Sequence, residues 1–225
     1  MAGTGKELLK DGDVSYRILV PEDQPATNEI VSRCMHAGEP MTCACGAPFE
    51  SWRDFCQLLT PRMCANGLSV GAFFLDGEQV GAFVCEDLNS PLVPDIDRFA
   101  GLAPAFTVVD ELEVFVCDLF DIPHGQLPKE GLLYHQFLVG VLPQGSRRGV
   151  CKNLFKLTLD LAKEAGFLAA FAECTGYFST RAAVTVGMEI PFKVDYATYK
   201  AADGSMPFVD VPAPHDGCSL MLKKF

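Results

Sequence analysis

The chain has 225 residues, 49% hydrophobic and 21% charged, enough apolar material for one globular domain with a sizeable core. Its formal net charge of −11 argues against nucleic acid as a partner and suits a cationic ligand such as an amine. The longest apolar runs are interrupted by charge or glycine and are too short to span a bilayer, and Met1 to Glu7 lacks the apolar centre of a secretory signal.

A single domain over residues 1–225 is therefore expected, with residues 1–12 as a flexible N-terminus, in a monomeric cytoplasmic protein. The ten cysteines show no small-scaffold spacing, and in a reducing compartment they act as small buried apolar residues. Val14 to Val20 alternates and ends at Pro21, which predicts a first strand. A helix follows over Glu29 to Met35, with Thr27 or Asn28 available to cap it. The stretch His36 to Gly46 reads as a loop. Phe49 to Leu59 is amphipathic, with Phe49, Trp52, Phe55, Cys56 and Leu59 on one face, is interrupted by Pro61, and is expected to cover a sheet edge.

Leu68 to Leu75 and Gln79 to Cys85 flank Asp76-Gly77, a hairpin signal because the pair readily adopts positive φ. Pro91 and Pro94 mark an exposed loop, Ala105 to Phe120 a helix, and Leu132 to Val141 a long strand. After Pro143 comes the small basic loop Gln144 to Gly149. Val150, Leu154, Leu157 and Leu161 then recur at helical spacing. A strand feeding a glycine-bearing loop that opens a helix makes a phosphate cradle, because the first helical N–H groups have no partner within the helix. The plainer reading is an ordinary strand-to-helix turn with solvated Arg147 and Arg148. An apolar run, Phe167 to Ala172, precedes the segment Glu173-Cys-Thr-Gly-Tyr-Phe-Ser-Thr-Arg181 and a short helix that ends near Gly187. Phe192 to Tyr196 and Ser219 to Lys223 read as closing strands. Hairpins at the front and strand–helix–strand units at the back predict an α/β chain with a mixed sheet wrapped by helices.

The succession from Phe137 to Arg181 resembles the acetyl-CoA-binding core of the GNAT superfamily of N-acetyltransferases. The segment from Glu173 to Arg181, the following Val186-Gly-Met188, and the later Tyr196-Ala-Thr-Tyr-Lys200, Gly204 and Pro214-His215 resemble the arylalkylamine (dopamine-type) acetyltransferases of invertebrates. In the family loop, Arg or Gln, then Gly, then Gly or Ala recur at set spacing; Ser146, Gly149 and Cys151 stand at those places here, so only the central glycine is kept. The resemblance implies a GNAT fold with a twisted sheet of about seven strands and helices on both faces. It implies acetyl-CoA as cosubstrate, a small aromatic amine as acceptor, and no metal.

It also implies roles. Val139, Gly140 and Val141 would face the pantetheine arm, with the Val139 N–H as oxyanion donor. Gln144, Gly145, Ser146, Arg147, Arg148, Gly149 and Val150 would cradle the pyrophosphate. Glu39, beside Pro40, matches the family's catalytic base; otherwise it caps or solvates a loop. Thr175 and Ser179 match two catalytic hydroxyls. Ser179 is the candidate acid for the thiolate, with Tyr177 the alternative, and a helix N-cap is its structural role. His135 is either a proton relay or a packed strand residue, and His215 lines or supports the amine pocket. Phe49, Trp52, Phe178 and Phe192 are available as aromatic walls. Cys43 and Cys45, one residue apart with Cys34 and His36 nearby, have the wrong spacing for zinc. Cys151 is either redox-reactive or merely small. The alternatives to an arylalkylamine enzyme are a GNAT acting on a polyamine or peptide lysine, and a noncatalytic acyl-CoA-binding module.

Overall fold

Alternation and turn chemistry set the strands, and the computed structural model, which describes residues 5–90 and 95–225, joins eight of them into one mixed sheet. In spatial order these are β1 (Glu7–Asp11), β2 (Val14–Ile18), β3 (Val70–Phe74), β4 (Gln79–Asp87), β5 (Leu133–Val141), β6 (Ala169–Cys174), β8 (Gly217–Lys224) and β7 (Glu189–Asp195). Every neighbouring pair is antiparallel except β5 and β6. The helices are α1 (Gln24–Gly38), α2 (Pro40–Ala44), α3 (Phe49–Ala65), α4 (Ala103–Leu119), α5 (Val150–Glu164) and α6 (Tyr177–Thr185).

The eighth strand comes from the expected flexible start. Leu8 and Leu9 pack on the core and Gly12, at φ 60°, turns the chain into β2, so residues 7–11 are an edge strand. The helix expected at Glu29 begins at Gln24, after a 3-10 turn at Pro21–Asp23, so Thr27 and Asn28 lie inside it and cap nothing. Their side chains instead bond Gln79 and Gln57. The helix starting at Phe49 runs through Pro61 to Ala65, because buried Met63 and Cys64 hold its last turn against the core. It packs beside α1 over a sheet face and not along an edge. The expected loop at 36–46 contains the short helix α2. The predicted proline loop falls largely at residues 91–94, outside the described residues.

Two glycines position the layers. A Cβ on Gly140 would stand 3.1 Å from the Cys34 Cβ on α1, and one on Gly81 would stand 3.2 Å from Val150 on α5. These neighbouring positions let α1 and α5 approach the middle of the sheet from opposite faces. One core cluster joins α5 to the sheet around Phe83, Tyr134 and Phe155, while a second joins α1 and α3 around Trp52, Phe55 and Leu138. A third joins α4 to β6 and β8 around Leu112, Phe171 and Leu220.

Candidate active site

The central strands part where the site lies. β5 and β6 pair only at Leu133–Ala169, Tyr134–Ala170 and His135–Phe171; beyond these, β5 keeps only β4 and β6 keeps only β8. A bulge assists, since Val84 faces Leu138 while Cys85 faces Gln136, leaving Phe137 as the extra residue on β5. The Leu142 N–H donates to the Val80 carbonyl, so alternation turns the N–H and C=O of Val141 and Val139 away from β4 and into the wedge. Gly140 faces α1 from the same segment.

At the mouth of the wedge lies the loop before α5. The N–H groups of Gly145 and Ser146 are consumed by the carbonyls of Leu142 and Pro143. Helical bonding resumes when Asn153 donates to Gly149, and among the described residues nothing accepts from the N–H groups of Arg147 to Lys152. Gly149 is the α5 N-cap at φ 76°, and Arg147 also has a positive φ, 61°. That conformation turns successive N–H groups outward, as an anion cradle requires. The cations divide: Arg148 pairs with Asp13 at 2.5 Å and is partly spent, whereas Arg147 makes no ion pair among the described residues. Gln144 donates to Glu78, and Ser146 to the Leu142 carbonyl. Val150 is buried, so its side chain anchors the helix, and among the described residues its N–H has no backbone acceptor.

Between the wedge and α1 to α4 is a cavity of about 370 Å³, in the range of small-molecule sites. Its wall includes Glu39, Val139, Val141, Thr175 and Ser179, so the structure gathers these predicted residues from three regions of the chain. Glu39 is 7% exposed, and its two oxygens accept from the N–H groups of Met41 at 3.0 Å and Thr42 at 2.6 Å. It is thus the N-cap of α2 and a cavity carboxylate at once. Ser179 is the third residue of α6, whose N-cap is Gly176, so it is not the cap expected; its hydroxyl donates to the Gly176 carbonyl at 2.9 Å. Tyr177 is not in the cavity wall. It is 36% exposed, and its hydroxyl accepts from Arg181 at 2.9 Å. His215 lines the cavity and its Nδ1 accepts from the Tyr177 N–H. The Thr175 carbonyl is held by the Tyr196 hydroxyl at 2.6 Å.

The aromatic walls differ in part from expectation. Trp52 and Phe178 line the cavity, but Phe49 meets His36 and Phe192 stacks on Phe115 at 4.8 Å, both away from it. Phe83, Phe106, Phe137 and Phe155 supply the rest. Phe137 was visible only as a strand residue, since the bulge that presents it has no local sequence signature. Cys34, Cys151 and Cys174 also line the cavity, and burial pushes the Cys34 and Cys151 thiols up to about 11 each. Low thiolate content disfavours the reactive reading of Cys151. Cys43 and Cys45 gather no third metal ligand among the described residues.

A polar cluster adjoins the cavity, in which the sequence singled out His135 but not the carboxylates around it. His135 is 1% exposed and stacks on Phe171 at 4.6 Å. Its Nε2 is 2.9 Å from the Glu173 carboxylate, which lines the cavity, and its Nδ1 faces Glu86 at 3.6 Å and Glu113 at 3.9 Å. Burial opposes a charge on His135, but the carboxylates, Glu173 foremost, outweigh it and hold the imidazole well above its ordinary pKa. Burial pushes Glu113 up to about 7. The signal available in sequence was alternation, which places Phe171 and Glu173 on one face of β6.

No protein-family model matches the sequence, and a search of curated proteins returns no match. Solved structures do match along nearly the whole chain. The C-terminal condensation domain of Ebony, in complex with beta-alanyl-dopamine, superposes with a TM-score of 0.81 at 18% identity, covering 97% of this chain and 100% of that one. Arylalkylamine N-acetyltransferase 2 from Aedes aegypti gives a TM-score of 0.76 at 18% identity, with 95% and 99% of the two chains covered. A Drosophila melanogaster polyamine N-acetyltransferase that forms N-acetylagmatine gives 0.70 at 18% identity, with 95% and 100% covered. The chain therefore has the GNAT acetyltransferase fold, with eight strands where about seven were expected.

Proposed function

We propose that this protein is an acetyl-CoA-dependent N-acetyltransferase acting on the primary amine of a small arylalkylamine of the serotonin, tryptamine, dopamine or tyramine class. The observation that carries the reading is the continuity of three features: open N–H groups before α5, a wedge exposing the backbone of Val139, and a cavity containing Glu39 and Ser179. The residues fit the cosubstrate. Nothing lies within 4 Å of where a Cβ on Gly149 would stand, so the cradle is open to a diphosphate, and Arg147 is available for its charge. Acetyl-CoA supplies an activated acyl carbon.

Glu39 accepts the first proton of the substrate ammonium, because only the free amine is a nucleophile. Its carboxylate is pre-oriented by two backbone donors, so little reorganisation accompanies the transfer. The Val139 N–H faces the charge that develops on the acyl oxygen as the C–N bond forms. When the C–S bond breaks, Ser179 gives its proton to the sulfur and takes the second amine proton in return, leaving one proton for solvent. Thr175 and Trp52 border the same space. The aromatic walls favour a ring-bearing acceptor over an extended polycation.

A thiol-release assay with acetyl-CoA across aromatic amines, polyamines and a lysine peptide tests the reading. Transfer to aromatic amines at the highest kcat/KM is expected. Preference for spermidine or the peptide overturns the acceptor class, and calorimetry without coenzyme A binding overturns the enzyme.

A further inference from the structure

We infer that the buried cluster between α4 and the sheet binds one divalent metal ion of the zinc or manganese class, with Glu113, His135 and Glu173 as its ligands. The three come from α4, β5 and β6, and one ligand atom from each lies within 4.8 Å of the other two. A set of one imidazole and two carboxylates suits this class of ion, whereas magnesium and calcium prefer all-oxygen shells.

One observation besides the clustering points to a ligand. Among the described residues the Glu173 Oε1 has no hydrogen-bond partner, although its side chain is only 3% exposed. Unpaired polar atoms at such depth are costly. The cluster is also rich in carboxylates. Glu86, Glu113 and Glu173 surround one imidazole, and among the described residues the guanidinium in reach is Arg62, 3.5 Å from Glu86. Asp110, one turn earlier on α4, is exposed.

The surroundings match those of a metal centre. The His135 Nε2 faces Glu173 at 2.9 Å, and an ion at the usual ligand distance of about 2.1 Å needs that contact to open by only a few tenths of an ångström. Glu86 stands behind the other ring nitrogen and Arg62 stands behind Glu86, the kind of outer partners that orient a ligating imidazole. Phe171, lying within 4° of parallel to the ring, fixes its plane. Glu113, with its side chain 29% exposed, provides the path from solvent. Because Glu173 also lines the cavity, the ion ties α4 to β5 and β6 directly behind the amine pocket.

The test uses the full chain stripped with a chelator and titrated with Mn²⁺ by calorimetry and with Co²⁺ by visible absorption. One equivalent of each is expected, the cobalt showing d–d bands of nitrogen and oxygen ligation and raising the melting temperature. Glu113→Gln, altered at the partly exposed ligand, should lose at least tenfold in affinity, as should Glu173→Gln. Absence of saturable binding, binding retained in both variants, or a thiolate-to-cobalt charge-transfer band from the cysteines overturns the site. Anomalous diffraction from a cobalt-soaked wild-type crystal gives a readout independent of any variant, and an ion located elsewhere overturns it equally.

Discussion

Glu39 accepts a hydrogen bond from the Thr42 N–H at 2.6 Å while lining the cavity, so one carboxylate both starts α2 and faces the cavity. The two roles separate experimentally. Glu39→Gln keeps one acceptor oxygen but cannot accept a proton. It should lower kcat at pH 7 by about 10²-fold or more, with the deficit shrinking as pH rises and the free amine becomes abundant. Loss of one cap bond should cost about 1 kcal/mol, visible as a lowered melting temperature. A normal kcat at pH 7 removes Glu39 as the base.

Gly149 is in the left-handed region with open space around it, so its substitutions act through backbone strain and through the cradle. Gly149→Ala should cost roughly 1–2 kcal/mol of stability, the ordinary penalty of a left-handed L-residue. Gly149→Val should in addition raise KM for acetyl-CoA while affecting KM for the amine far less. Initial-rate kinetics with each substrate varied in turn checks this.

Ser179 and Tyr177 are distinguished by position. Ser179→Ala should reduce kcat by about 10²-fold or more if its hydroxyl protonates the departing thiolate. Tyr177→Phe should leave kcat within a factor of about 2–3, because that hydroxyl faces Arg181 outside the cavity. Melting curves show whether the serine variant is merely unfolded. A reversed order assigns the acid to Tyr177.

The cysteines should react in an order set by burial. Exposed Cys43 should be alkylated first at neutral pH, while Cys56, Cys85 and Cys174 react only on unfolding. Burial holds Cys34 and Cys151 at about 11, so their modification should accelerate about tenfold per pH unit from pH 7 towards 11. Coenzyme A should protect Cys151, which lines the cavity. Peptide mapping by mass spectrometry reads each site.

Local chemistry made several elements legible from the chain alone. Asp76-Gly77 between two apolar runs specified the β3–β4 hairpin, and Gly77 is at φ 94°. The spacing of Val150, Leu154 and Leu157 specified α5 and its buried face, and the adjoining loop residues were identifiable because a helix start has unavoidable free N–H groups. These are short-range properties of neighbouring residues, whereas Thr175 and Ser179 stand out only through the resemblance of the segment after Glu173 to the arylalkylamine acetyltransferases.

Long-range packing decided the rest. Burial of Met63 and Cys64 carried α3 through Pro61, and Leu8 and Leu9 turned an apparently flexible start into an edge strand. The parting of β5 from β6 arises because each strand satisfies its outer edge on a different neighbour. The gathering of Glu86, Glu113, His135 and Glu173 has the same origin. These residues are far apart in sequence, and only sheet register and the docking of α4 bring their charges within 4 Å of one imidazole. Periodicity and turn preference act over a few residues, whereas a pocket or a charge cluster is a meeting of elements whose separation along the chain carries no information about their distance in space.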